Sequence, residues 1–131
     1  MKILVCYDGS EAGKKALDLA IDHAKAFDGE LLAATALEGD PQEQLHHLEH
    51  AEQTLDYARV YLTAEGRQCE TKLLSAKNMS AGENLVRFAE ESKADVMIIG
   101  IKKTSKVGKL LTGSNAQHII LTASCPVISV K

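Results

Sequence analysis

Val96-Met97-Ile98-Ile99 is four consecutive apolar residues, bounded by Asp95 on one side and Gly100 on the other. It is too short for a helix, and its lack of alternation marks a strand covered on both faces. Such a strand belongs inside a parallel sheet, and a parallel sheet needs a crossover between every pair of strands. The rest of the chain supplies these crossovers. Ile3 to Tyr7 reads as a first strand, Leu31 to Leu37 as a second, Cys69 to Leu74 as a third nearer an edge, and Val127 to Val130 as a fifth.

Helical patterns separate the strands. Ser10 stands ready to cap a helix whose apolar face is Ala16, Leu17, Ala20, Ile21, Ala24 and Phe27. Gly39-Asp40-Pro41 breaks the chain, and Pro41 suits the first turn of a long helix carrying Leu45, Leu48, Leu55, Ala58 and Leu62 inward to near Gly66. Ser80-x-x-Glu83 is a capping box before Leu85, Val86 and Ala89. Ser114-x-x-Gln117 is read as another, opening a short helix with Ile119 and Ile120 inward. The βαβαβαβαβ order predicts one α/β domain over 1–131: a five-stranded parallel sheet in the order 3-2-1-4-5, Rossmann-like, with helices on both faces. Length agrees, since 131 residues fill one domain with little left over. Aromatics are only 4%, so Leu, Ile, Val and Ala must make the core.

In such a sheet ligands bind beyond the carboxyl ends of the strands, beside the reversal between strands 1 and 4. The reversal brings Asp8-Gly9-Ser10 and Gly100 to one crevice, with the end of strand 2 at Ala36-Leu37 nearby. The net charge of −3 argues against a nucleic-acid binder. The charge is uneven, however: after Asp95 there is no acid, while Lys102, Lys103, Lys106, Lys109 and Lys131 follow. A helix beginning at Gly113-Ser114 would offer N–H groups and a partial positive charge to a phosphate.

The segment from Gly100 to Ser114 resembles the nucleotide-binding loop of the universal stress protein family: glycine, two residues, glycine, nine residues, then glycine and Ser or Thr. Gly100 and Gly113-Ser114 match, Asp8-Gly9-Ser10 is similar to that family's opening, and Cys125-Pro126-Val127-Ile128-Ser129-Val130 to its closing strand. The resemblance covers essentially the whole chain. It departs at Lys103, which stands where the second glycine is expected. That side chain either obstructs the backbone's approach to phosphate or replaces backbone donors with an ammonium.

The resemblance implies the adenine nucleotide alpha hydrolase-like fold and an adenine nucleotide as ligand, ATP with or without Mg²⁺. Asp8, Gly9 and Ser10 would stand at the adenosine, Ala36 would line adenine, and Gly100, Lys102, Lys103, Gly113, Ser114 and the Asn115 N–H would hold ribose and phosphates. It also implies a homodimer through the last strand, where an apolar edge invites pairing. Two other readings stay open: a protein of this fold that binds no nucleotide and acts through protein contacts, and a slow ATPase. No nucleophile–base arrangement is visible, so no catalytic residue is assigned.

Other motifs fail. Gly9-x-x-x-Gly13-Lys14-Lys15 is one residue short of a P-loop and has no Ser or Thr after Lys14. His46 and His50 share a helix face but with Leu45 and Leu48 inward they face water, and no metal site is assigned. Cys6, Cys69 and Cys125 show no metal or redox spacing; Cys6 and Cys125 read as small buried hydrophobes, and free thiols fit a reducing cytoplasm. The apolar run at the N-terminus is too short for a signal peptide or membrane span.

Overall fold

Ile3, Leu4 and Val5 are fully buried, so the first strand is covered on both sides and sits at the centre of a sheet. The computed structural model describes residues 1–75, 78–102 and 113–131. Its elements run β1 (Lys2–Cys6), α1 (Glu11–Phe27), β2 (Glu30–Ala36), α2 (Pro41–Thr63), β3 (Cys69–Leu74), α3 (Ala81–Glu91), β4 (Val96–Gly100), α4 (Ser114–Thr122) and β5 (Val127–Val130). All pairings are parallel, in the order β3-β2-β1-β4-β5. The sheet order read from the sequence is therefore the observed one. β1 and β2 each begin and end one residue earlier than expected, although Tyr7 and Leu37 still donate to the neighbouring strands through Ala34 O at 3.0 Å and Leu74 O at 2.8 Å.

The two-residue period of the strands divides the core in two. Ile3 and Val5 of β1, Leu31 and Ala33 of β2, and Val96 and Ile98 of β4 meet Leu17 and Ala20 of α1 and Leu55 and Ala58 of α2. Their alternates Leu4, Leu32, Ala34, Met97 and Ile99 meet Leu85, Val86 and Ala89 of α3 and Ile119 of α4. Helices thus cover both faces.

The helix starts carry their caps. The Ser10 hydroxyl accepts from Gly13 N–H at 3.0 Å, Asp40 from Glu43 N–H at 2.9 Å, and Ser80 from Glu83 N–H at 3.1 Å. Pro41 stands in the first turn of α2. At α4 the expectation changes: Gly113 is the N-cap, with no side-chain cap bond, and Ser114 is the first helical residue.

Three residues expected inward are exposed. Phe27 ends α1 at 56% exposure, where Asp28 turns the chain into the left-handed region at φ 51°. Leu45 is 72% exposed because the start of α2 overhangs the body, with no buried residue before Ala51. Ile120 is 45% exposed, since it follows Ile119 by about 100° around α4 and only Ile119 points at the sheet. His46, His47 and His50 are exposed on the overhang, and no three metal-binding side chains cluster among the described residues.

The tyrosines form one ladder. Tyr7 stacks on Tyr57 and Tyr57 on Tyr61, each pair with ring centroids 5.9 Å apart, while Lys14 Nζ lies 5.8 Å from the Tyr57 ring and Tyr61 donates to Asp18. No helix among the described residues is long and apolar enough to cross a membrane.

Candidate functional site

A cleft of about 370 Å³ opens at the carboxyl ends of β1, β2 and β4. It lies where the strand order reverses between β1 and β4, the position that sheet topology prescribes. Ala34 and Ala36 of β2, Leu85 of α3 and Ile119 of α4 give it an apolar wall; Asp8, Lys102 and Ser114 bring polar groups.

Asp8, Ala36, Gly100, Lys102, Gly113, Ser114 and Asn115 all line this cleft, although they come from four separate parts of the chain. Gly9 and Ser10 do not line it. Their work is local: Gly9 takes φ +86°, which lets the chain leave β1 in a tight turn, and Ser10 caps α1. Lys103 falls within 103–112, outside the described residues, as do Lys106 and Lys109.

Asp8 has its own local partners. Its Oδ1 accepts from Ser10 N–H at 3.0 Å and from the Ser10 hydroxyl at 2.6 Å. This is the Asx turn that an aspartate before Gly-Ser favours. The turn fixes the carboxylate at the mouth of the cleft before any ligand arrives. Thr35 holds the same region from the side, its hydroxyl donating to Tyr7 O at 2.9 Å.

Gly100 and Gly113 differ in what surrounds them. A Cβ on Gly100 would stand 2.5 Å from the carbonyl carbon of Ala12 and 2.6 Å from Gly13 N, so the first turn of α1 requires a glycine there. Gly113 has nothing within 4 Å of the same position among the described residues, and its φ of −63° suits any residue. The fold explains the first glycine and leaves the second to the cleft.

α4 opens onto the cleft with its donors uncommitted to the helix. The first intrahelical bond at this end runs from Gln117 N–H to Gly113 O at 3.1 Å, so the N–H groups of Ser114, Asn115 and Ala116 precede it. Together with the helix dipole these make an anion-favouring end. Ser114, the first helical residue, is exposed and lines the cleft.

Cys6 forms part of the floor. Burial pushes its thiol up to about 12, with the nearby Cys125 and Asp8 adding to the shift. It stays protonated at neutral pH and offers no thiolate nucleophile.

Sequence reasoning named Asn115 for its main-chain N–H but missed Glu38 and the side-chain links that join the cleft walls. Glu38, just past β2, accepts from Ala81 N–H at 3.1 Å and from the Asn115 side-chain amide. Asn115 Oδ1 in turn accepts from Gly82 N–H at 2.8 Å. Gly82 is tight against α4, where a Cβ would lie 2.9 Å from Asn115 O. No local pattern announces a bond between residues 77 apart.

The comparisons agree with this geometry. A universal stress protein of Thermus aquaticus is 33% identical, the alignment covering 98% of this chain and 97% of that one. The structure of a universal stress protein from Archaeoglobus fulgidus superposes with a TM-score of 0.90 at 32% identity, covering 100% of this chain and 98% of that one. The structure of the universal stress protein from the same organism in complex with dAMP gives a TM-score of 0.84 at 28% identity, again covering 100% and 98%. The family model described as "Universal stress protein family" matches residues 1–131. Sheet order, cleft and whole-length match agree, and the chain belongs to the universal stress protein family.

Proposed function

We propose that this protein binds an adenine nucleotide in the cleft between β1 and β4 and serves as a binding module in a stress response. The observation that carries the reading is the pairing of an apolar wall with the N-terminus of α4 at one cleft that Asp8, held in its turn, also lines. The purine would lie against the end of β2 around Ala36, Asp8 would face the ribose, and the Ser114 and Asn115 N–H groups would take a phosphate. Gly113 would leave room for that approach. The dAMP bound by the Archaeoglobus fulgidus relative supports a nucleoside monophosphate as the smallest sufficient ligand. ATP, alone or with Mg²⁺, is the larger form of the same ligand.

A homodimer through β5 belongs to this reading. β5 is an outermost strand, and Val127, Ile128 and Val130 are only half-buried along it, while Leu121 nearby in the chain is 80% exposed. Light scattering at micromolar concentration should give a mass near twice that of the chain, and a monomer would remove the dimer. Three free thiols support residence in a reducing compartment such as the cytoplasm.

Calorimetric titration of AMP, ATP and MgATP into the wild type and a Gly113→Ala variant tests the nucleotide reading. Saturable binding that the variant loses supports it. A folded, nucleotide-free wild type that binds none of the three would overturn it and favour a role in protein contacts.

A further inference from the structure

Two helix N-termini border the cleft. At α4 the leading N–H groups stand ahead of the first helical bond. At α3 each of the first three is taken by a side chain: Ala81 N–H by Glu38, Gly82 N–H by Asn115 and Glu83 N–H by Ser80. Only Ser80 is the local cap. The other two acceptors come from the end of β2 and the first turn of α4, which are the other walls of the same cleft. Because the Asn115 amide also donates to Glu38, one carboxylate and one carboxamide link β2, α3 and α4 in a closed set of hydrogen bonds.

We propose that Glu38, acting through Asn115, is a positioning residue of this cleft: it closes α3 to anions with the protein's own carboxylate and fixes α4 at the spacing that presents its first N–H groups to the ligand. Ala81 lines the cleft, so an unfilled α3 terminus would otherwise offer a second, competing end to a phosphate. Glu38 itself does not line the cleft. Asn115 turns its side chain toward α3 and leaves its main-chain N–H at the start of α4. A charge-assisted acceptor shared by two donors is among the stronger polar links a surface can make. The nucleotide part of this inference rests on the function proposed above; the link itself does not.

Two measurements separate them. The first is amide hydrogen exchange at Gly82 in nucleotide-free protein. Glu38→Ala and Asn115→Ala should each speed it about tenfold, the scale set by losing one such hydrogen bond. Glu38→Gln keeps an acceptor and should leave the rate near wild type. Asn115→Asp faces one carboxylate with another and should speed exchange, whereas combining it with Glu38→Gln exchanges donor and acceptor across the pair and should restore protection. The second is AMP titration, where the same variants should weaken and recover affinity in the same order, by about tenfold for Glu38→Ala. Faster Gly82 exchange in a protein that binds no AMP supports the link and overturns the nucleotide reading alone. Unchanged Gly82 exchange in Glu38→Ala, or AMP affinity in that variant equal to that of a wild type that does bind, overturns the inference.

Discussion

Gly100, the last residue of β4, lies so close to Ala12 in α1 that a Cβ on the glycine would stand 2.5 Å from the Ala12 carbonyl carbon. The neighbouring atoms are backbone and cannot rotate away. Gly100→Ala should therefore push α1 off the sheet and destabilise the protein by about 1–3 kcal/mol, the usual cost of overpacking. Gly113→Ala meets no atom within 4 Å among the described residues and has an ordinary φ, and its stability should stay within about 0.5 kcal/mol of wild type because cap loss and reduced unfolded-state freedom oppose each other. Urea unfolding of the two variants checks the contrast; equal stabilities would show that the two sites are not distinguished by packing.

The turn at Asp8 predicts a second contrast. Asp8→Asn keeps an oxygen to accept from Ser10 N–H, whereas Asp8→Ala removes it. Asparagine should hold the turn and the α1 cap with little loss of stability, while alanine should cost about 1 kcal/mol, the scale of one net hydrogen bond. Thermal unfolding reads both, and an alanine variant as stable as wild type would mean that the carboxylate is not what shapes this turn.

Alkaline pH should act through Cys6. Burial keeps this thiol protonated up to about 12 in the folded state, against 9.0 for the free group. Above pH 9 the unfolded chain binds fewer protons at this position than the folded one, so stability must fall as pH rises from 9 toward 12. The slope for one such group is about 1.4 kcal/mol per pH unit. Cys6→Ala should flatten that part of the curve in denaturant titrations between pH 8 and 11; an identical slope in the variant would exclude Cys6 as its source.

Tyr61 gives an optical prediction. Its hydrogen bond to Asp18, with a smaller contribution from burial, raises its phenol above the ordinary tyrosine value. In ultraviolet titration Asp18→Asn should bring that ionisation back toward the ordinary range. A titration curve unaltered by the substitution would show that the hydrogen bond does not hold in solution.

What the sequence made legible was whatever depends on near neighbours along the chain. The run Val96–Ile99 identified the strand buried on both faces, and Ser10 and Ser80 stand at the helix starts they cap. Alternation implied the parallel sheet, and the common five-stranded order for such a sheet is the observed one, which brings Asp8, Ala36, Gly100 and Ser114 to one cleft. Periodicity gave the direction of a helix face without saying how far the body beneath it extends, which is why Leu45 and Phe27 are exposed. The Ser114-x-x-Gln117 pattern looked like a cap because the motif cannot tell whether the chain enters the helix one residue earlier. The pairing of Glu38 with Asn115 stayed hidden because it exists only once the chain after β2 and the start of α4 meet beside the start of α3. Lys103, the one departure from the family's loop, lies among 103–112, outside the described residues.

The tyrosine ladder sets what intrinsic light emission can report. The chain has three tyrosines and no tryptophan, and all three are stacked on the side of the sheet that α1 and α2 cover. Excitation taken up by any one ring is within easy reach of the other two, so the emission behaves as a single lamp fixed to one face. Movements of α2 against Tyr7 should change its brightness, while rearrangements confined to α3 and α4 should leave it unaltered and call for a probe placed there on purpose.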